Sequence, residues 1–257
     1  MKESFYLLEI QYLGFRYHGW QKQPEVNTVQ RMVERTLKFV LKHEHFKTLV
    51  TGRTDAMVSA SQTYFELFLK EPIDANNLLH ELNYNLPADI RVLSIEEVNS
   101  KFNVIKSAKM KEYHYLFSFG GKNHPFAAPF MCYLQEDLDI NAMIEAATLF
   151  QGIHNFENYC YKPSDKTVFE REIVLSEIAE NDVLTANFFP KKSYLFRVRG
   201  AGFMRHQVRM MMGSLISVGK GEIDVIDIEK SLSSEREAPL NYIAPASGLM
   251  LHEVNFE

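Results

Sequence analysis

The chain has 257 residues, 46% hydrophobic and 24% charged, with 28 basic residues against 33 acidic ones and a formal net charge of −5. That is globular composition with apolar material for a real core, and it excludes a disordered chain or a globally basic nucleic-acid binder. No apolar run reaches the roughly 18–20 residues of a membrane span, no signal peptide precedes the first strand-like segment, and Cys132 and Cys160 are too few for a disulfide framework or a zinc site, so a cytoplasmic protein of one large domain or two fused ones is expected.

Phe5 to Tyr12 alternates, with Tyr6, Leu8, Ile10 and Tyr12 on one face, which predicts a strand. Val29, Met32, Val33, Thr36, Leu37, Val40 and Leu41 recur at helical spacing behind a cap at Asn27 or Thr28. A short strand ends near Val50, and Ser61 to Lys70 alternates again. Asp74 opens a second helix that stops before Pro87, and Ile90 to Val98 reads as a strand. The order β-α-β-β-α-β is the ferredoxin-like plan, shared with RNA-recognition modules. From Lys111 the plan repeats more loosely. Lys111–Phe119 is a strand, and Asp139 caps a helix that Gly152 ends. Strand-like runs follow at Phe169–Ala179, Val183–Phe188 and Tyr194–Arg199. Phe203–Val218 is an apolar helix, and Leu249–Phe256 is a last strand. Gly120–Pro129 reads as a mobile surface loop and Gly219–Ser247 as irregular, with a short helix after Asp224. The fold class is therefore α/β (α+β): two ferredoxin-like halves, 1–104 and 105–257, forming an extended, mostly antiparallel sheet with a central basic cleft.

Familiar chemical signatures are missing. Gly200-Ala201-Gly202 lacks the third glycine of a dinucleotide loop, where Arg205 stands, and no P-loop occurs. His43-Glu44-His45 has the wrong spacing for ligands on one helical face and reads as a solvated helix end, so no metal is expected. More informative is Thr51-Gly52-Arg53-Thr54-Asp55, a polar loop between two strands. Taken alone, Arg53 and Asp55 fit a structural ion pair or an Asx turn. Tyr113 lies in a strand after the basic run Lys106–Lys111, where core packing would explain it. Arg209 lies one turn after Arg205 on the apolar helix, where it must find an anion or snorkel to water. Other basic patches, at Arg16-Tyr17-His18, Lys22, Lys109, Lys111 and Arg205-His206, stand beside aromatic residues and read as solvated faces or, if the partner is a nucleic acid such as RNA, as its candidate contacts.

Eight stretches stand out in order: Y-L-G-F-R-Y-H-G-W-Q-K-Q from Tyr12, N-T-V-Q from Asn27, G-R-T-D-A from Gly52, L-N-Y-N-L-P-A-D-I from Leu82, K-E-Y-H-Y from Lys111, G-I-H-N-F from Gly152, G-A-G-F-M-R-H-Q-V-R-M-M-M-G from Gly200 and A-P-A-S-G-L-M-L from Ala244. Together they resemble the tRNA pseudouridine synthase A (TruA) family. The resemblance implies two related α/β halves around a basic cleft, usually in a homodimer. It implies isomerisation of uridine to pseudouridine in tRNA, in the anticodon stem-loop, with no cofactor. It assigns Asp55 as nucleophile on C1′ of the ribose or C6 of the base. Tyr113 stacks on the extruded base and helps remove the C5 proton, and Arg209 keeps Asp55 ionised. Arg53 holds a phosphate or the space the base leaves, and Leu249 packs beneath the uracil or serves as plain core. A catalytically silent RNA-binding module of the same fold, and an unrelated aspartate-nucleophile enzyme acting on free nucleosides, are the alternatives.

The chain departs from the family pattern at a few positions. Where the family continues G-V-H-A after G-R-T-D-A, this chain has Met57-Val58-Ser59-Ala60. Ile105 replaces the arginine of F-x-A-R, and Asn155 replaces the acid of G-x-H-D-F. Asp55, Tyr113 and Arg209 are untouched, so the chemistry is expected to persist while substrate choice can shift.

Overall fold

A computed structural model describes residues 3–233 and 242–256. The chain forms two compact units, Met1–Lys109 with Met250–Glu257, and Met110–Leu249. No helix among the described residues is long and apolar enough to cross a membrane.

The first unit contains β1 (Ser4–Tyr12), α1 (Val29–Leu41), β2 (Phe46–Val50), β3 (Ser59–Leu69), α2 (Ala75–Asn85), β4 (Ile90–Val98) and α3 (Val104–Ser107). The order β4-β1-β3-β2, with all three pairings antiparallel, is the ferredoxin-like arrangement expected from the chain order. Alternation buries Tyr6, Leu8 and Ile10 of β1 together with Phe65 and Leu67 of β3, while the helices add Val33, Leu37, Leu78 and Leu82. Thr28 caps α1, its hydroxyl accepting from Arg31 N–H at 3.3 Å, and Asp74 caps α2. One edge of β3 is shared. Phe65–Leu69 pairs with β2, and Ser59 and Ala60 pair in parallel with Met250 and Leu251 of β10 (Leu249–Asn255). The β2–β3 loop leaves the sheet where that edge changes partner. The other sheet face is not bare. It carries Glu9, Gln62 and Glu66, with α3 against Glu66 and the Phe102, Tyr64 and Phe256 rings in contact.

The second unit contains β5 (Met110–Phe119), β6 (Cys132–Leu134), α4 (Ile140–Thr148), β7 (Gly152–Asn155), β8 (Glu170–Glu180), β9 (Tyr194–Gly200), α5 (Gln207–Gly219) and α6 (Val225–Leu232). β9 lies between β5 and β8, antiparallel to both, just as β3 lies between β1 and β2. The repeated plan is therefore real at the level of topology. Gly120–Pro129, expected as a surface loop, contains a 3-10 turn at Pro125–Ala127. Two expectations need correction. Val183–Phe188 is not a strand, because Asn181 Oδ1 accepts from the N–H groups of Val183 and Leu184 and folds the chain into a local turn. The apolar helix begins at Gln207 rather than Phe203, because His206 adopts φ 60° and redirects the chain. The irregular Gly219–Ser247 segment lies partly outside the described residues; its short helix is α6, capped by Asp224.

Candidate active site

In the first unit, the segment after β1 and the β2–β3 loop are folded against each other. Thr51 and Thr54 are buried, whereas Arg53 is exposed and Asp55 half-buried. The Thr51 hydroxyl donates to Tyr64 O at 2.7 Å, and the Thr54 hydroxyl meets Tyr12 Oη at 2.8 Å. Trp20 N–H donates to Thr54 O at 3.2 Å, Met57 N–H to Tyr17 O at 2.9 Å, and Val58 N–H to Asp55 O at 3.2 Å. Trp20, only 2% exposed, packs between Tyr12 and Phe65. The alternation of buried threonines with outward Arg53 and Asp55 is therefore built by Tyr12, Tyr17 and Trp20. Sequence reasoning did not list these as site residues, although the Y-L-G-F-R-Y-H-G-W stretch contains all three.

Two glycines allow the close approach. A Cβ on Gly19, at φ 83°, would sit 2.5 Å from Thr54 O, and one on Gly14 would sit 2.0 Å from Val58 O. The same segment receives the start of α1, with Val29 N–H donating to Gly19 O and Gln30 N–H to Trp20 O. The departures from the family pattern now acquire geometry. Met57 holds φ 66°, so the left-handed backbone of a glycine position is kept by a methionine whose side chain is 36% exposed. The Ser59 hydroxyl accepts from Gly14 N–H at 2.9 Å. Ile105 is exposed, and Asn155 Oδ1 accepts from Glu157 N–H at 2.9 Å.

The expected RNA contacts of this unit differ in availability. Arg16 forms a two-pronged pair with Asp89, which also accepts from Tyr17 Oη at 2.7 Å. Burial, helped by Asp89, pushes the Tyr17 phenol up to about 12. Lys22 is paired with Glu34 at 3.0 Å, whereas Lys109 is exposed. The His43-Glu44-His45 turn is closed on itself, with Glu44 held by Lys38 at 2.5 Å and the two imidazoles stacked.

In the second unit, Tyr113 sits on β5 opposite Val198 of β9, and its ring meets Phe203 edge-on with centroids 5.1 Å apart. Lys111, on the same strand, is mostly buried, which lowers its ammonium below the usual lysine range. Arg209 lies in the first turn of α5. Its Nε donates to Ala244 O at 2.8 Å, and Ala244 N–H returns a bond to Arg209 O at 3.0 Å. The segment around Ala244 also receives Tyr115 Oη at Pro245 O, 2.7 Å. A Cβ on Gly248 would lie 2.7 Å from Leu116 O, and one on Gly213 would lie 2.0 Å from Tyr242 O. This packing brings the A-P-A-S-G-L stretch onto both β5 and α5. Leu249, 5% exposed, is its last residue. Arg205 and Arg209 do not share a helical face as their spacing predicted. Arg205 precedes α5 and places its guanidinium 5.2 Å from the Tyr161 ring centroid, and His206 stacks on that ring at 4.7 Å.

Comparison with known proteins adds a second line of evidence. The family described as tRNA pseudouridine synthase matches residues 146–257. A relative named tRNA pseudouridine synthase A 1 from Protochlamydia amoebophila is 31% identical over 98% of this chain and 96% of its own. Proteins named tRNA pseudouridine synthase A from Dictyoglomus thermophilum and Staphylococcus aureus are 30% and 31% identical, covering 97% and 96% of this chain and 98% and 90% of theirs.

Proposed function

The chain belongs to the tRNA pseudouridine synthase A family of isomerases, and we propose on that premise that it converts uridines in the anticodon stem-loop of tRNA to pseudouridine, with Asp55 as nucleophile. The N1–C1′ bond breaks, the uracil turns, and a C5–C1′ bond forms. The C5 proton leaves and N1 regains one, so substrate and product are isomers and no co-reactant enters. Asp55 attacks C1′ of the ribose or C6 of the base, and the bond it forms is broken again, displaced by C5 at C1′ or eliminated from C6, so the carboxylate is returned. Arg209 keeps that carboxylate ionised, and Tyr113 stacks on the extruded base and assists removal of the C5 proton. Leu249 packs beneath the uracil, and Arg53 occupies the space the base vacates or holds a phosphate. Extrusion costs a few kcal/mol. Stacking on Tyr113, worth about 1–3 kcal/mol, and phosphate contacts by Arg53, Arg205, His206 and Lys109 offset it. The protein acts in the cytoplasm as a homodimer, which light scattering of the purified chain tests directly.

The observation that most supports this reading is the presentation of Asp55. Its neighbour Thr54 is buried and tied to Tyr12, while Asp55 itself stays half-buried on a loop braced by the backbone of residues 17–20. A carboxylate meant only for an Asx turn needs no such frame. Carbodiimide mapping of tRNA transcripts incubated with enzyme is expected to reveal pseudouridine. Asp55→Ala should abolish the signal with tRNA affinity kept within about threefold, a change under about 1 kcal/mol. Tight, salt-sensitive binding without pseudouridine from the wild type would instead establish a silent RNA-binding module.

A further inference from the structure

The second unit holds a groove of about 390 Å³ between the Cys160–Val168 segment and the turn leading into α5. Its walls carry Lys162, Lys166, Arg171 and Arg205, two hydroxyls from Ser164 and Thr167, and no carboxylate. In a chain with a net charge of −5 this is a local reversal of sign. None of these four cations forms an ion pair with a carboxylate among the described residues. Arg171 adds a sharper sign: its Nε is buried and lacks any hydrogen-bond acceptor among the described residues. A guanidinium N–H in that condition is costly unless an acceptor arrives from outside.

The groove is also built rather than incidental. The Tyr161 ring is its spine, with His206 stacked at an interplanar angle of 18°, and Arg205 and Lys162 each 5.2 Å from its centroid. Tyr161 N–H donates to Arg205 O at 3.1 Å, joining the two walls through the main chain. Ser164 and Thr167 close the intervening turn on itself, with Thr167 N–H to Ser164 O and Ser164 N–H to Thr167 Oγ1 both at 2.9 Å. Lys162 at φ 48° and His206 at φ 60° are non-glycine residues in the left-handed region on either side of the same ring. Backbone held at that cost of about 1–2 kcal/mol each is found where positioning matters.

Four cations and two hydroxyls match an extended ligand rich in anionic oxygen. We propose that this groove holds backbone phosphates of the RNA substrate; none of Asp55, Tyr113 or Arg209 lines it. The inference rests on the RNA-acting reading given above, and its test separates the two. The double variant Lys162→Ala/Lys166→Ala is compared with Lys191→Ala/Lys192→Ala, which removes the same charge elsewhere on this unit. Equilibrium binding of a tRNA transcript is measured from about 50 to about 200 mM salt, alongside steady-state pseudouridine formation. The groove variant should weaken binding roughly tenfold at low salt, flatten the log–log salt dependence by about 1.5–2, and raise KM with kcat unchanged. The control variant should shift none of these. Equal effects from both variants, or an unchanged salt slope in the groove variant, would overturn the proposal. If the wild type binds tRNA with this salt dependence yet makes no pseudouridine, the reaction assignment fails and the groove stands. If it makes pseudouridine and the groove variant behaves like the wild type, the groove fails and the reaction stands.

Discussion

At the scale of single residues, the loop bearing Asp55 is governed by what its neighbours leave no room for. Gly19 cannot accept a side chain: its φ of 83° is left-handed, and a Cβ would press on Thr54 O at 2.5 Å. Gly19→Ala should destabilise by about 2 kcal/mol or more, combining left-handed strain with overpacking. It should also lower kcat more than tRNA affinity, because the atom displaced belongs to the residue before Asp55. Chemical denaturation and single-turnover assays measure the two effects. Met57 is the opposite case. It holds φ 66° with its side chain partly in solvent, so little packing compensates the backbone strain. Met57→Gly should raise stability, by about 0.5–1 kcal/mol once the extra chain entropy of glycine is deducted. An unchanged or lowered denaturation midpoint would show that the methionine makes contacts worth more than the strain. Asp55 and Arg53 were legible as candidates because they stand out as polar residues between two strands, and their proposed roles because of the family resemblance. The residues that brace them were not, since Tyr12, Tyr17 and Trp20 look like core in a linear reading and acquire their second role only when β1's exit folds over the loop.

At the scale of elements, the chain order alone predicted the first unit's topology, because alternation and caps such as Thr28 and Asp74 are local signals. The errors fell where a local side-chain bond or a left-handed residue beat periodicity. Asn181 turned an apolar run into a loop, and a left-handed His206 delayed α5 by about a turn, separating Arg205 from Arg209. The covering of the polar sheet face by α3 was invisible for a different reason: it depends on Glu66, a carboxylate in the middle of a strand. Glu66 is buried, one oxygen accepting from Val104 N–H at 3.1 Å and the other without a partner among the described residues. Burial raises its carboxyl above the usual carboxylate range, with the Val104 bond pulling the other way. A group that holds its proton more tightly folded than unfolded favours folding below its unfolded pKa. That advantage shrinks as pH rises toward the folded value and is gone above it. Glu66→Gln removes the ionisation, so the variant should lose less stability than the wild type as pH rises from the usual carboxylate range to neutrality. Each tenfold difference in proton affinity is worth about 1.4 kcal/mol. Urea denaturation across that range reads the difference, and parallel curves would mean the carboxylate is solvated or paired in solution.

For the whole molecule, the puzzle is how a chain with an excess of acids holds a polyanion. A net charge of −5 gives no long-range attraction, so affinity has to come from cations not already engaged. The sequence could list basic patches but could not tell engaged from available, because the deciding carboxylates are distant in the chain. Asp89 claims Arg16 across 73 positions, whereas Glu34 claims Lys22 from the next helix. Arg53, Lys106, Lys109, Lys162, Lys166, Arg171 and Arg205 form no ion pair among the described residues. If each neutralises one phosphate, log K for tRNA should fall against log salt with a slope of about −5 to −6. Lys109→Ala should make that slope shallower by about 1. Arg16→Ala, which removes the same charge from a neighbouring basic patch, should leave the slope nearly unchanged and instead cost stability, because it strips Asp89 and the Tyr17 hydroxyl of their shared partner. A wild-type slope shallower than −2, or equal slope changes from the two variants, would mean that engagement with carboxylates does not decide which cations meet RNA.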